Sequence, residues 1–418
     1  MIKNKLNYLL PFTVLLSLFL SFYFGEDTLG AGKADYDYHI RYFLQFAENF
    51  NETYNKFGLD QESNSVRNSP VFYMIFSVFI KLGLSLKNLK IINFLIIFPL
   101  LIFFNKCLEI KYPNIDINTK IYFSSALLLS PTIRTMLVWP YPLLWALCLF
   151  LISIYFFLIF NQTKNFNNKI KFAYYNTFFL SLSAYFTPNF AFFSIFFLYN
   201  FFLIFKLKKE IFNIILLNII LATPAIYFLI AKDFYLFNSE VYQLDNSIKY
   251  NLSNKIIIIS SILLLFFIPF VSKNNLLNNI KKVKIDYNIF ILLCFISINI
   301  YFYNFLDNAG GGIFYHLSQL LIGNSLILFV VFIFALCLFK YLNLFNLNNI
   351  FLFIVLVFYN LQFTIYYKYF EPLVFFLFLF LFNHKNLLSI NLNTLSKKYF
   401  FFYLFFLLMN FGKSLINY

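Results

Sequence analysis

Apolar residues in this chain come in long, nearly unbroken runs separated by short polar connectors, without the strict alternation of a half-buried strand. A helix needs about 20 apolar residues to cross the hydrocarbon core of a bilayer. Runs near 6–24, 89–105, 121–133, 142–160, 172–187, 190–205, 211–231, 255–272, 287–305, 320–339, 349–365, 372–383 and 399–412 therefore predict about thirteen transmembrane helices. Val71–Ile80 is strongly apolar but stops at Lys81, about half the length a crossing requires. Charge parity places it. If Val71–Ile80 does not cross, Lys106, Lys111, Lys120, Lys164, Lys169, Lys171, Lys206, Lys208 and Lys209 share the side of Lys3 and Lys5. Later basic loops at 273–284 and 385–398 follow suit, as the positive-inside rule demands. Val71–Ile80 is thus expected to be a juxtamembrane helix inside an outer first loop spanning about 25–88. Leu6–Phe24 is too long for a signal-peptide core, and no A-x-A site follows it, so it reads as an uncleaved first span. The expected fold class is all-α and polytopic in the membrane, with 1–418 as one transmembrane domain.

Composition agrees. The chain is 61% hydrophobic and 12% charged, about half the charge of a soluble domain. The net charge of +15 lies in short loops between apolar runs, which makes it topological and argues against a nucleic-acid partner. Cys107, Cys148, Cys294 and Cys337 form no C-x-x-C pair, so neither a disulfide framework nor a zinc site is indicated. The Asn-x-Ser/Thr sequons at Asn51, Asn161 and Asn251 are what chance supplies in an Asn-rich chain. The excess of Phe, Ile, Asn, Lys and Tyr fits an AT-rich bacterial genome.

Acidic residues break the monotony. Eight of the 17 carboxylates lie between Glu26 and Glu62, directly after the first apolar run. A charge at mid-bilayer costs about 2.5–3.5 kcal/mol or more, so charges are kept where water or chemistry needs them. From Tyr36 onward, Ile40, Phe43, Leu44 and Ala47 fall at helical spacing and predict an amphipathic helix on the membrane surface. Asp35 and Asp37 stand at its N-terminus, where the helix dipole favours negative charge. His39 and Arg41 each lie one turn beyond an Asp. The plain alternative is a solvated surface helix laced with i,i+4 ion pairs.

The order of these features resembles the GT-C-fold integral-membrane glycosyltransferases, including protein O-mannosyltransferases and the lipid A aminoarabinose transferase. The matching parts are the early acids and amphipathic helix, Arg67-Asn68-Ser69-Pro70-Val71-Phe72-Tyr73, and Leu129-Ser130-Pro131. Trp139-Pro140-Tyr141-Pro142, Ala184-Tyr185-Phe186-Thr187-Pro188 and the late outer turn Tyr367-Lys368-Tyr369-Phe370-Glu371-Pro372 extend the likeness over most of the chain. The chain departs from the family at Asn68-Ser69-Pro70, where Arg/His-Pro-Pro is usual, and its third-to-fourth-span loop has no acid. That leaves the acceptor class open.

The resemblance implies transfer of a sugar from a polyprenyl-phosphate donor to a lipid, glycan or protein acceptor at the outer face, with inversion. A first-loop acid serves as general base, with Asp35 the first candidate and Asp37 the second. Arg134, Lys368, Arg67 and His316 are the candidates for donor and phosphate binding, with snorkelling to the interface the ordinary alternative for the cations. His39, Arg41, Tyr367 and Glu371 are expected to support them from behind. Asp307 and Gly310-Gly311-Gly312 allow either a ligand contact or a flexible connector. Asp35-x-Asp37 also spells a metal-binding D-x-D, a weak three-residue match. No metal ligand set is assigned, although some family members use a divalent cation. The expected setting is a bacterial inner membrane, N-terminus cytoplasmic and first loop periplasmic. Competing readings are a flippase or polysaccharide exporter, an O-antigen-type polymerase or ligase, and a structural subunit. A transporter tends to carry interrupted helices in repeated halves. A polymerase would rely on arginine-rich outer loops, and a structural subunit needs no polar loop of this kind.

Overall fold

The computed structural model describes residues 2–28, 32–59, 69–233, 248–271, 287–305, 310–341, 344–360, 362, 364–383 and 391–416. Every regular element among them is helical. Five helices are long and apolar enough to cross a membrane: Leu86–Lys111, Pro142–Gln162, Pro188–Phe205, Lys209–Ala231 and Asn251–Phe270. A sixth is the pair Ile117–Leu129 and Pro131–Val138, bent by 63°. This is the make-up of a multi-pass membrane protein, and among the described residues five or six of the thirteen expected spans reach full length. The other apolar helices have 10–17 described residues. The run at 320–339 resolves into Gly312–Ile322 and Leu326–Tyr341, parted by a left-handed Gly323, and the run at 372–383 becomes Tyr367–Phe376 plus one π turn. The chain divides into two compact units, residues 1–236 with 392–418, and residues 237–391.

The first unit contains α1 (Ile2–Phe24), α2 (Gly32–Glu48), α3 (Phe50–Lys56), α4 (Val71–Lys81), α5 (Leu86–Phe94), α6 (Ile97–Lys111) and α7 (Ile117–Leu129). It continues with α8 (Pro131–Val138), α9 (Pro142–Gln162), α10 (Phe166–Phe186), α11 (Phe193–Phe205) and α12 (Lys209–Ala231). The bend between α7 and α8 follows from Ser130-Pro131. Proline disfavours a helical conformation in the residue before it and has no N–H to continue the ladder. Ser130 therefore leaves the helix, and its hydroxyl accepts from Ile133 N–H at 3.1 Å to cap the new one, with Pro131 at the first helical position.

The centre of this unit is α9 against α10. α9 is apolar all round and mostly buried, as a helix inside a bundle must be. Its few polar groups are matched. Asn176 Nδ2 donates to Ser153 O at 2.9 Å, Ser153 Oγ donates to Asn176 O at 3.1 Å, and Ser183 Oγ donates to Ala146 O at 2.7 Å. Phe150, Phe157 and Phe160 mesh with Phe190, Phe193, Phe197 and Phe201.

α4 has eleven residues, about 16 Å of helix, and so falls well short of a crossing. α2 packs along it through His39, Tyr42 and Phe43, with Phe43 stacked on Phe76 at 4.9 Å between ring centroids. The buried face of α2 differs from the expected one. Leu44, assigned to the apolar face by spacing, is 39% exposed, while Tyr36, His39 and Tyr42 are buried. The helix is anchored by aromatic packing against another helix, so large rings with one polar atom take the inner face.

The second unit contains α13 (Ile248–Phe267), α14 (Tyr287–Tyr301), α15 (Gly312–Ile322), α16 (Leu326–Tyr341), α17 (Leu347–Tyr359) and α18 (Tyr367–Phe376). α13 is its hub, packed on α14 through α18. Gly311 needs to be glycine, because its φ is 98° and an added Cβ would lie 2.4 Å from the Tyr315 ring. The last helix of the chain, α19 (Leu392–Ile416), belongs to the first unit. There it lies on α7, with Tyr399 beside Phe123 and Phe400 beside Tyr122.

Candidate functional site

At the end of α1, Gly25 adopts φ 69° and turns the chain out of the helix, and Glu26 N–H closes back on Ser21 O at 2.9 Å. That turn aims the Glu26 carboxylate at Arg134 on α8. Arg134 Nε donates to both Glu26 oxygens at 3.0 and 3.2 Å, and Nη2 donates to Glu26 Oε2 at 2.7 Å. The guanidinium also donates to Ser17 Oγ at 3.1 Å, to Ser17 O at 3.2 Å and to Ser21 Oγ. Side-chain exposure is 2% for Arg134 and 5% for Glu26. Arg134, expected at a donor phosphate, here bonds Ser17 and Ser21 of α1 and the Glu26 that follows it, and so clamps the first span to the short helix after the bend.

The next residue fixes the first loop. Asp27 accepts from Gly32 N–H at 2.9 Å and Lys33 N–H at 3.0 Å, satisfying two of the open donors at the start of α2. Gly32 lies so close to α8 that an added Cβ would come within 2.3 Å of Thr135 Cγ2. Thr28 Oγ1 and Thr135 Oγ1 share a hydrogen bond of 3.2 Å. The loop therefore leaves the first span already tied to the bundle.

On this base α2 carries Asp35, half-buried, and Asp37, exposed. Tyr36 between them turns inward, its ring 5.7 Å from that of Trp139. Burial first, and the Asp37 charge second, push the Tyr36 phenol up to about 12, so it stays neutral. Trp139 is itself held by Nε1 donating to Glu26 O at 3.0 Å. Lys90 on α5 sits over both rings, 3.7 Å from the Trp139 centroid and 4.8 Å from that of Tyr36, with Asp37 and Lys33 as charged neighbours. Asp37, two lysines and an indole thus lie together at the start of α2, with Asp35 in the same turn. His39 is buried, and its Nδ1 shares a 3.0 Å hydrogen bond with the Tyr73 hydroxyl, which pins α2 to α4. Arg41 is exposed on the outer side of α2.

The remaining candidates other than Arg67 belong to the second unit. The segment from Tyr367 is the first turn of α18, where a loop turn was expected, and Pro372 lies inside that helix. Lys368 is half-buried, 5.6 Å from the Tyr366 ring centre and 5.9 Å from that of Tyr369. Glu371 is fully buried, near Tyr367. His316 is exposed on α15 beside Tyr315. Arg67 and Asp307 lie outside the described residues. Among the described residues no three His, Cys, Asp or Glu side chains gather as a metal-ligand group.

Sequence reasoning did not assign Glu26, Asp27, Lys90 and Trp139 the structural parts they take here. One signal was present. Arg134 had to be buried if α8 was, and a buried guanidinium needs a carboxylate, for which Glu26 at the end of the first span was available. No family model, curated protein or solved structure matches this chain.

Proposed function

We propose that this chain is a membrane glycosyltransferase that moves a sugar from a polyprenyl-phosphate donor to a lipid, glycan or protein acceptor at the outer membrane face. The observation that carries the reading is the anchored start of α2, where Asp37 and Lys33 are charged neighbours of Lys90 over the Tyr36 and Trp139 rings, with Asp35 in the same turn. Carboxylates at the start of one helix, with lysines over an aromatic floor beside them, are the groups that transfer from a lipid phosphate requires. Asp35 takes the acceptor hydroxyl proton as the acceptor oxygen bonds to the anomeric carbon. The bond from that carbon to the phosphate oxygen breaks on the opposite side, and the lysines receive the departing phosphate charge. A tryptophan face suits the apolar side of a sugar ring. The positive-inside distribution of lysines supports a bacterial inner membrane with this loop in the periplasm. Lys368, His316 and Arg67 are donor-side residues by family resemblance.

The test is sugar release from a polyprenyl-phosphate hexose or pentose by the chain in proteoliposomes. Loss of a positioned base costs about 10²–10⁴-fold in turnover. Asp35→Asn is expected to fall in that range, and Asp37→Asn to fall less. Full activity in the double variant removes the mechanism.

A further inference from the structure

The first unit also has an open groove of about 320 Å³ between α1, α6 and α7, at the end of these helices away from the Glu26–Arg134 clamp. Its direction can be read from pairs across it. Lys120 Nζ meets Glu109 Oε1 at 2.8 Å at the rim, and one turn deeper Ser124 Oγ donates to Asn105 Oδ1 at 3.1 Å. Beyond these the walls are Leu15, Leu101, Ile121 and Leu128, with Pro11 on the α1 side. From Lys120 to Leu128 the groove follows α7 for about 12 Å. The order along it is a cation, then hydroxyl and amide groups, then hydrocarbon. One group stands out. Ser125 is among the groove's lining residues, it is 1% exposed, and its Oγ has no hydrogen-bond partner. A buried hydroxyl left unpaired costs about 1–3 kcal/mol, which points to an acceptor that arrives with a ligand.

We infer that this groove binds one anionic glycerophospholipid, with its phosphate at Lys120, its ester carbonyls at Ser124 and Ser125, and an acyl chain among the leucines. The spacing selects this occupant. Ser125 lies five residues beyond Lys120, about 7 Å along the helix, where a glycerolipid has ester oxygens and a prenyl phosphate has only hydrocarbon. A prenyl phosphate would leave the Ser125 hydroxyl unpaired. The site is separate from the glycosyl-transfer reading and does not depend on it.

The test uses the purified full chain in mild detergent, offered phosphatidylglycerol, phosphatidylcholine or a long prenyl phosphate, with retained lipid counted by native mass spectrometry. Phosphatidylglycerol is expected to be retained about fivefold over phosphatidylcholine, the worth of one lysine at an anionic headgroup. Lys120→Gln, a change at a rim side chain 25% exposed, should erase that preference. Ser125→Val should lower retention of both glycerolipids. Equal retention of the two by the wild-type chain overturns the inference, and so does stronger retention of the prenyl phosphate. Because lipid is counted without any sugar transfer, failure here leaves the glycosyltransferase reading standing, and an inactive enzyme leaves this one standing.

Discussion

The Glu26–Arg134 pair lends itself to a double-mutant cycle, because both members are buried and the geometry is bidentate. At 2.7 Å the attraction between unit charges is about 6 kcal/mol with an effective dielectric near 20. Desolvation of both ions offsets much of that, so the pair's net contribution is far smaller. Removing one partner is different, because the other charge stays buried and uncompensated, at a cost of about 3–5 kcal/mol. Glu26→Ala and Arg134→Ala are each expected to lose about that much. Glu26→Gln, which keeps one acceptor for the guanidinium, should lose less. The informative variant is the double change Glu26→Leu with Arg134→Met, expected to regain most of the stability lost by either single alanine. The assay is unfolding in detergent micelles followed by tryptophan fluorescence. Trp139 is a built-in reporter, since its indole donates to Glu26 O. Single losses below about 0.5 kcal/mol, or a double variant as unstable as the sum of the singles, would refute the picture of a buried clamp.

Three further outcomes follow from the same region. Asp27→Ala removes the side chain that caps α2 and should cost about 1 kcal/mol, read in the same unfolding assay. Gly32→Ala places a methyl 2.3 Å from Thr135 Cγ2 and should cost about 1–3 kcal/mol. Adding Thr135→Ser, which deletes that methyl and keeps the hydroxyl for Thr28, should restore part of the loss, and no rescue would place the strain elsewhere. Tyr36→Phe should raise stability by about 1–3 kcal/mol, since it removes a buried hydroxyl that has no hydrogen-bond partner. A large loss of sugar transfer in that variant would show that the hydroxyl meets a substrate.

Length and polarity made much of this architecture legible before any coordinates. The apolar runs marked the helices, and the early stop at Lys81 marked α4 as too short to cross. The break inside 121–133 was less visible, although Ser130-Pro131 spelled it, because hydropathy averages over a residue whose effect is on the backbone. The inner face of α2 was misread for a related reason. Hydrophobic spacing favours Leu44, but the rings of α4 take His39 and Tyr42 and Trp139 takes Tyr36, so these turn inward instead. The acids were conspicuous because charge is scarce in this chain. Their division of labour was not. Glu26 and Asp27 are neighbours in sequence, yet one pairs with a cation and the other caps a helix, and only the turn at Gly25 assigns those tasks.

The last helix carries a consequence for how the molecule is made. α19 completes the first unit by lying on α7, with Tyr399 and Tyr403 fully buried, yet all of residues 237–391 leave the ribosome before it does. Throughout that interval α7 lacks its aromatic cover, so the earlier helices must wait in the insertion machinery or the bilayer, partly assembled. Nascent chains halted ahead of Leu392 should therefore be prime substrates for membrane quality control, however well their first two hundred residues have inserted.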